Sequence, residues 1–463
     1  MQGYASREAA LNILLDQETT GAFLKDLFGP HTDALPKPDR GLVREITLGV
    51  IRNLSLLDHN IGLYAARQPG PGAIRCILRL TAYQILFMDV PDFAAVNVGV
   101  ELAKRRGDKF QGGFVNAVLK KLTAAGLQKA PGGSVKSLAV NFSHPEWLIR
   151  RWYKRLGGDG LLRALERNNQ EAPLWIRVNP TRGTVDQARS ELGALGVQFD
   201  EGESGDNGKS DPDAGDAPFL RISGRGGGEK ALHSDLFRDG RIAFQDPAAW
   251  LIAELAEWNP EESLLDLCSA PGGKAACLVE RASLLAADEA GPASGTGETG
   301  APIVCNDISF RRLRLIHDAR ERLGHTRLSP LVMDPTRSAL RRKFDLIVVD
   351  APCSNLGVLR RRPEARWSRT QEDLARLAHL QIGLLAAAAK LAGPTGRIVY
   401  ATCSPEAEET SDVVAAFLAA HPGWQVADAA SRLPSWAVKE GFLWLFPGET
   451  EYDGFFAARL ERK

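Results

Sequence analysis

The sequence predicts a multidomain protein: an all-helical bundle, a small α+β subdomain, then a mostly parallel α/β sheet covered by helices. Three observations predict it. Apolar residues recur at helical spacing up to about residue 128, with no β-type alternation between them. From about 135 to 240 short strands and helices mix. From about 241 strands alternate regularly with helices, the pattern of βαβ units. A chain of 463 residues exceeds one ordinary core, and the expected domains are 1–130, 135–240 and 241–463.

In the first region Leu42, Ile46, Val50, Leu54, Leu57 and Ile61 form one helical stripe. Ile74, Ile77, Leu78, Ile85 and Leu86 form a second, Val96, Val100 and Ala103 a third, and Phe114, Val115, Val118, Leu119 and Leu122 a fourth. These stripes read as core. Asp39 is the expected N-cap of one helix and Gly126 the stop of another. Lys104, Arg105, Arg106, Lys109, Lys120 and Lys121 gather positive charge near the later helices, either as a solvated face or as a surface for RNA. Ala130 to Ser134 has the composition of a linker.

In the second region His144-Pro145-Glu146-Trp147-Leu148 opens a helix. Leu174–Val178 is a strand, Thr184 to Leu195 a helix and Phe219 to Ile222 a further strand. In the third, the predicted strands are the run into Asp266, Ile303 to Cys305, Leu328 to Met333, Phe344 to Val349 and Gly396 to Ala401. The helices between them include Gln245 to Trp258, Arg311 to Leu323 and Leu374 to Leu391. Phe442 to Phe446 and Phe455 to Leu460 are expected to pair as a closing hairpin. Residues 201–217 and 287–301, rich in Gly, Ser, Asp, Ala and Thr, read as surface insertions.

Composition excludes several classes. Lys and Arg total 57, and Asp and Glu total 57, so any basic surface must be local. Six cysteines without a C-x-x-C pair or a nearby histidine make neither a disulfide framework nor a zinc site, and no metal is expected. The N-terminus has no signal-peptide pattern, and no apolar run approaches bilayer length. The expected setting is a reducing cytoplasm, without membrane attachment.

The stretch Leu264-Leu265-Asp266-Leu267-Cys268-Ser269-Ala270-Pro271-Gly272-Gly273-Lys274 reads as strand, glycine loop and helix start. In a parallel sheet such loops meet ligands at the carboxyl ends of strands. An ordinary strand-to-helix turn reads the same way. The loop lacks the G-x-G-x-x-G of dinucleotide sites, and Ala275 after Lys274 departs from a P-loop. Ser269, Asp307, Asp334 and Asp350 follow four strands at this edge. Asp307 and Asp334 suit ribose hydroxyls or the caps of the next helices equally well. Two cysteines also end strands here, in Asp350-Ala351-Pro352-Cys353-Ser354 and Thr402-Cys403-Ser404. A thiol of pKa about 8.5 needs a cation or a helix N-terminus to become a nucleophile. Arg360, Arg361 and Arg362 follow the first cysteine, and a helix is expected just after Ser404-Pro405. Methylation at carbon 5 of a pyrimidine requires such a set: a thiolate to add at carbon 6, an acid near N3, and a base to remove the carbon 5 proton.

At these residues the chain resembles the RNA cytosine-C5 methyltransferases, in their RsmB (Fmu/Sun) branch. Arg44-Glu45, Arg52-Asn53-Leu54, Tyr83-Gln84-Ile85-Leu86 and Gly113 to Leu119 are similar to a NusB-type RNA-binding bundle. The likeness continues through Phe142 to Trp147, Gln245-Asp246, the glycine loop, Asp350 to Cys353, Arg362 to Trp367 and Tyr400 to Ser404. It implies a Rossmann-like, class I S-adenosylmethionine-dependent fold for the third domain. It implies that Cys403 attacks, that Cys353 aids product release, and that Asp350 contacts the base and cofactor. Cys268, Ser269, Ala270, Pro271, Gly272, Gly273 and Lys274 would cradle S-adenosylmethionine, with Asp307 and Asp334 on its ribose and adenine side. The implied substrate is 16S rRNA at cytosine 967 in conventional rRNA numbering, free or in a partly assembled small subunit, and the implied enzyme is a monomer. Ala275, where the family commonly has threonine, and the two insertions depart from its pattern. A non-catalytic RNA-binding assembly or antitermination factor, and the same chemistry on tRNA, remain the alternatives. Arg311, Arg312, Arg314, Arg360, Arg361 and Arg362 read either as a focused basic groove or as plain surface.

Overall fold

The computed structural model describes residues 3–67, 69–200, 218–224, 226–290 (287–290 as backbone), 300–337 and 340–463. The insertion read at 201–217 lies outside them, as does 291–299 of the second. Residues 287–290 complete the helix Gly273–Ala290. The described chain divides into two compact units, Met1–Glu171 with Leu359–Arg369, and Ala172–Val358 with Thr370–Lys463.

The first unit is helical, as expected. Its helices run Tyr4–Thr20, Leu24–Thr32, Lys37–Arg52, Leu54–Tyr64, Ala73–Phe87, Asp92–Arg106, Lys109–Ala125, Val135–Asn141 and Glu146–Asn169. The four stripes all contribute to one core, with Ile46, Val50, Leu57, Ile77, Leu78, Val115 and Leu119 fully buried. The first stripe spans two helices, because the chain breaks at Asn53. Asp39 is not an N-cap. It lies in the first turn of Lys37–Arg52, where its carboxylate accepts from the Ser6 hydroxyl (2.7 Å). Gly126 ends its helix at φ 66°, as expected.

The second unit holds two sheets. The smaller is β1 (Leu174–Val178), β2 (Gln198–Asp200), β3 (Phe219–Ser223) and β4 (Ile242–Phe244), antiparallel in the order β2-β3-β1-β4. The helix Val185–Ala194, capped by a Thr184–Gln187 box, packs on it through Ala188 and Leu192. Strands β2 and β4 were not read from the sequence; at three residues each they carry no periodicity to read.

The larger sheet is β5 (Leu264–Asp266), β6 (Ile303–Asp307), β7 (Leu328–Val332), β8 (Phe344–Asp350), β9 (Ala392–Thr402), β10 (Trp424–Ala427), β11 (Val438–Lys439), β12 (Phe442–Leu445) and β13 (Phe455–Arg462). Its order is β11-β12-β13-β9-β8-β5-β6-β7, with β10 also on β13. Strands β5 to β9 pair in parallel, and β13 returns antiparallel beside β9. Period-two alternation divides it into two buried faces. Leu264, Leu346, Val348 and Val399 join one core, and Leu265, Ile347, Val349 and Tyr400 the other. The strand order reverses between β5 and β8, which places a ligand crevice at their carboxyl ends. The helix Gln371–Leu391 is the exception to the expectation on apolar runs. It is long and apolar enough to cross a bilayer, yet its Leu384, Leu385 and Ala388 pack into the core of this sheet.

Candidate functional site

The loop from Leu267 to Gly272 leaves β5 and is laced to both neighbouring strands. The Leu267 amide donates to Val348 O (2.8 Å) and the Ser269 amide to Asn306 O (2.7 Å). Asn306 Nδ2 returns a bond to Leu267 O (2.9 Å). Gly272 turns the chain at φ 97°, a conformation that favours glycine. A Cβ on Gly273 would press on the Gln245 side chain at 3.0 Å.

Beside this loop lies a cavity of about 500 Å³ whose lining includes Gln245, Asp266, Ser269, Gly272, Lys274 and Asp350. Asp266 and Ser269 are buried, and the Asp266 carboxylate oxygens and the Ser269 hydroxyl make no well-formed hydrogen bond to the described protein, although Ser269 and the Cys268 amide stand close enough to Asp266 to favour its charged form. Such atoms are costly unless a ligand completes them. Burial, then the nearby Asp350 charge, pushes the Asp266 carboxyl up to about 7. A small polar cofactor carrying a cationic group suits this cavity. Asp266 was not singled out from the sequence. The signal was there: it is an acidic residue closing a buried apolar strand, as Asp307 and Asp350 do.

The other expected residues separate. Asp307 is buried at the end of β6, with Oδ1 accepting from the Ser309 amide (2.9 Å) and Oδ2 3.0 Å from Arg312 Nη1. Arg312 also donates to Ala270 O (2.7 Å), which ties Asp307 to the glycine loop. Asp334 accepts from the Thr336 amide (3.0 Å) and hydroxyl (2.7 Å) in a local turn. Neither lines the cavity. Cys268 is half-buried, and burial raises its thiol pKa.

Strands β8 and β9 run parallel as neighbours, so the loops that follow them bring the two cysteines together. Cys353 Sγ and Cys403 Sγ are 3.0 Å apart. Cys403 is half-buried and lies 3.3 Å from Asn355 Oδ1; Asn355 holds φ 64°. Cys353 is buried, and its thiol is raised well above its usual pKa by the hydrogen bond to Cys403 first and by burial second. It is therefore held protonated in the resting pair. One strand away Lys274 Nζ meets Asp350 Oδ2 at 2.6 Å and stands over the Phe455 ring. Burial opposes the charge on Lys274, but Asp350, with Cys403 and Asp266 beyond it, outweighs burial and raises its pKa.

One local expectation about the thiols needs correction, the helix expected just after Ser404-Pro405. The arginines after Cys353 belong to the first unit, where Arg360 is buried and donates to Glu171 O (2.8 Å) and Arg362 stands over the Phe23 ring. Arg360 is thus engaged within its own unit, while the half-exposed Arg312 holds Asp307 and the glycine loop. After Pro405 comes a single 3-10 turn, Ala407–Glu409, and the helix begins only at Ser411. In the first unit's basic cluster, Arg105 pairs with Glu101, and Arg106 bonds Asn12 and faces Glu8, leaving the lysines to carry its exposed charge.

Residues 253–461 match the 16S rRNA methyltransferase RsmB/F family, 4–124 the NusB family, and 144–208 the RsmF/B-like ferredoxin-like domain. The chain is 31% identical to ribosomal RNA small subunit methyltransferase B of Salmonella agona, over 96% of this chain and 95% of that one. It is 29% identical to the probable ribosomal RNA small subunit methyltransferase B of Bacillus subtilis, over the whole of both. Among solved structures, that of PH0851 covers 100% of this chain and 99% of its own, at TM-score 0.78 and 24% identity, a likeness of fold.

Proposed function

The chain belongs to the ribosomal RNA small subunit methyltransferase B family, and on that premise we propose that it methylates carbon 5 of a cytosine in 16S rRNA through a covalent cysteine–cytosine intermediate. The cofactor is S-adenosylmethionine, which supplies an electrophilic methyl group. Asp266, Ser269 and the glycine loop would hold it. The observation that carries the proposal is the 3.0 Å pair of thiols at adjacent strand ends, beside the Lys274–Asp350 ion pair.

Cys403, the more accessible sulfur, adds as the thiolate to carbon 6 and makes carbon 5 a nucleophile. Lys274, oriented by Asp350, holds a proton against the charge that develops at N3. After methyl transfer Cys403 is bonded to carbon and no longer shares a thiol proton with Cys353. Cys353 then loses its proton to solvent and takes the proton from carbon 5. The C–H pair becomes the carbon 5–carbon 6 double bond, the C–S bond breaks, and Cys403 departs as thiolate. One proton is released per turnover, so the reaction balances. The half-exposed position of one thiol and the buried, protonated state of the other support this division of roles.

The substrate within the family's reach is cytosine 967 of 16S rRNA, met free or in a partly assembled small subunit by a cytoplasmic, monomeric enzyme. Bisulfite mapping of 16S rRNA from cells with and without this protein tests the site: protection of cytosine 967 disappears with the protein. An unchanged protection pattern refutes it.

A further inference from the structure

Behind the thiol pair, away from the cavity, lies a buried polar cluster that the reaction above does not use. Glu409 is fully buried, and its carboxylate accepts from the Ser354 amide (2.8 Å), the Ser354 hydroxyl (2.5 Å) and Gln381 Nε2 (3.1 Å). The same Gln381 nitrogen donates to the Pro352 carbonyl (2.9 Å). The Tyr400 hydroxyl lies 2.7 Å from Glu409 O and 3.1 Å from Gln381 Oε1. Asn355 Nδ2 donates to the Cys353 carbonyl (3.0 Å).

Together these bonds hold the carbonyl before Cys353, its own carbonyl and the amide after it, all by side chains. The Cys403 carbonyl is held differently, by the Gly357 amide (3.0 Å). The two cysteine loops also meet within this cluster, where Ser354 Oγ lies 3.2 Å from Ser404 Oγ and Ser404 bonds Glu409. Burying a carboxylate is expensive, and satisfied networks of this kind fix one geometry.

We infer that Glu409, with Gln381, is a positioning residue for Cys353: it sets where the second sulfur stands, and so governs release of the methylated base and not the attack by Cys403. The inference rests on the reading of Cys353 as the release residue. Misplacing a reacting group by about 1 Å costs on the order of 100-fold in rate.

The test uses the full-length enzyme, a 16S rRNA transcript and labelled S-adenosylmethionine. Adduct formation in a single turnover is followed on denaturing gels, beside steady-state kcat and KM. Glu409→Gln is expected to form adduct at close to the wild-type rate, to lose on the order of 100-fold in kcat with KM for RNA unchanged, and to accumulate adduct as Cys353→Ala does. Gln381→Met frees the Pro352 carbonyl while leaving Glu409 on Ser354, and it shows the same partition in milder form. It keeps the test valid should Glu409→Gln not fold. Parallel loss of adduct formation and kcat in the variants, or no accumulation where Cys353→Ala accumulates, overturns the inference. Absence of adduct in Cys353→Ala itself removes the reading beneath it, and that arm distinguishes the two failures.

Discussion

Lys274 Nζ and Asp350 Oδ2 lie 2.6 Å apart, joining the first turn of the glycine-loop helix to the end of β8. The two side chains are 15% and 32% exposed, so desolvation offsets much of their attraction and the pair adds little net stability. Its place beside Cys403 gives it a chemical role instead. Lys274→Met is predicted to lower single-turnover methyl transfer by on the order of 10²–10³-fold, the usual loss of one preorganised donor, with the melting temperature nearly unchanged. Transfer of labelled methyl to RNA measures it.

Asp266 gives a pH signature. Its carboxyl is held up to about 7, so below that it is protonated in the ligand-free protein. A cationic ligand favours the carboxylate, and binding below pH 7 must therefore expel a proton. Affinity for S-adenosylmethionine is predicted to climb as pH rises to about 7 and to level off above it. The same raised pKa costs the ligand-free fold stability as pH rises from the ordinary carboxyl range toward 7. Calorimetric titration on either side of pH 7 checks the first effect, and Asp266→Asn flattens the profile.

Arg177 of β1 and Glu280 of the glycine-loop helix form a fully buried ion pair (2.7 Å) that His325 joins at 3.0 Å. Arg177 also donates to Cys277 Sγ (2.9 Å). Arg177→Met strands a buried carboxylate and is predicted to cost about 3–5 kcal/mol, whereas Arg177→Met with Glu280→Leu recovers most of that loss. Urea denaturation of the single and double variants measures the difference.

In the helical unit, Arg366 meets Phe142 to Trp147, two stretches singled out in the sequence that the chemistry leaves unused. The buried guanidinium donates to Ser143 O (3.0 Å), Asn168 O (3.1 Å) and Asn169 Oδ1 (2.8 Å). Burial lowers its pKa to about 9. Trp367 Nε1 reaches Ile51 O (2.9 Å) and Glu364 accepts from the Leu24 amide (3.3 Å). Arg366→Met orphans the two carbonyls at about 1–3 kcal/mol each, and the loss appears as earlier urea unfolding of the helical signal.

Much of this was legible because physical periods are local. The run Leu264–Asp266 and the buried strand Phe344–Asp350 declare themselves by apolar content, and their terminal acids mark the ligand edge. That Cys353 and Cys403 share an edge follows from strand-end position, but their contact follows from β8 and β9 being neighbours, which is topology. Residues whose meaning is wholly tertiary stayed silent. Glu409 reads as one of three acids in the run Glu406 to Glu409, and Arg360 as one of a charged triplet, until burial shows what each holds. Asp307 and Asp334 offered two readings from sequence, and their bonds to Ser309 and Thr336 are those of local turns.

The most direct measurement is covalent trapping on 16S rRNA by cysteine variants, read on a denaturing gel with labelled S-adenosylmethionine. Cys403→Ala is predicted to bind cofactor yet form no adduct and transfer no methyl group, while Cys353→Ala accumulates a methylated protein–RNA adduct. Full methylation by Cys403→Ala, or an adduct that survives its loss, contradicts the assignment of the attacking sulfur.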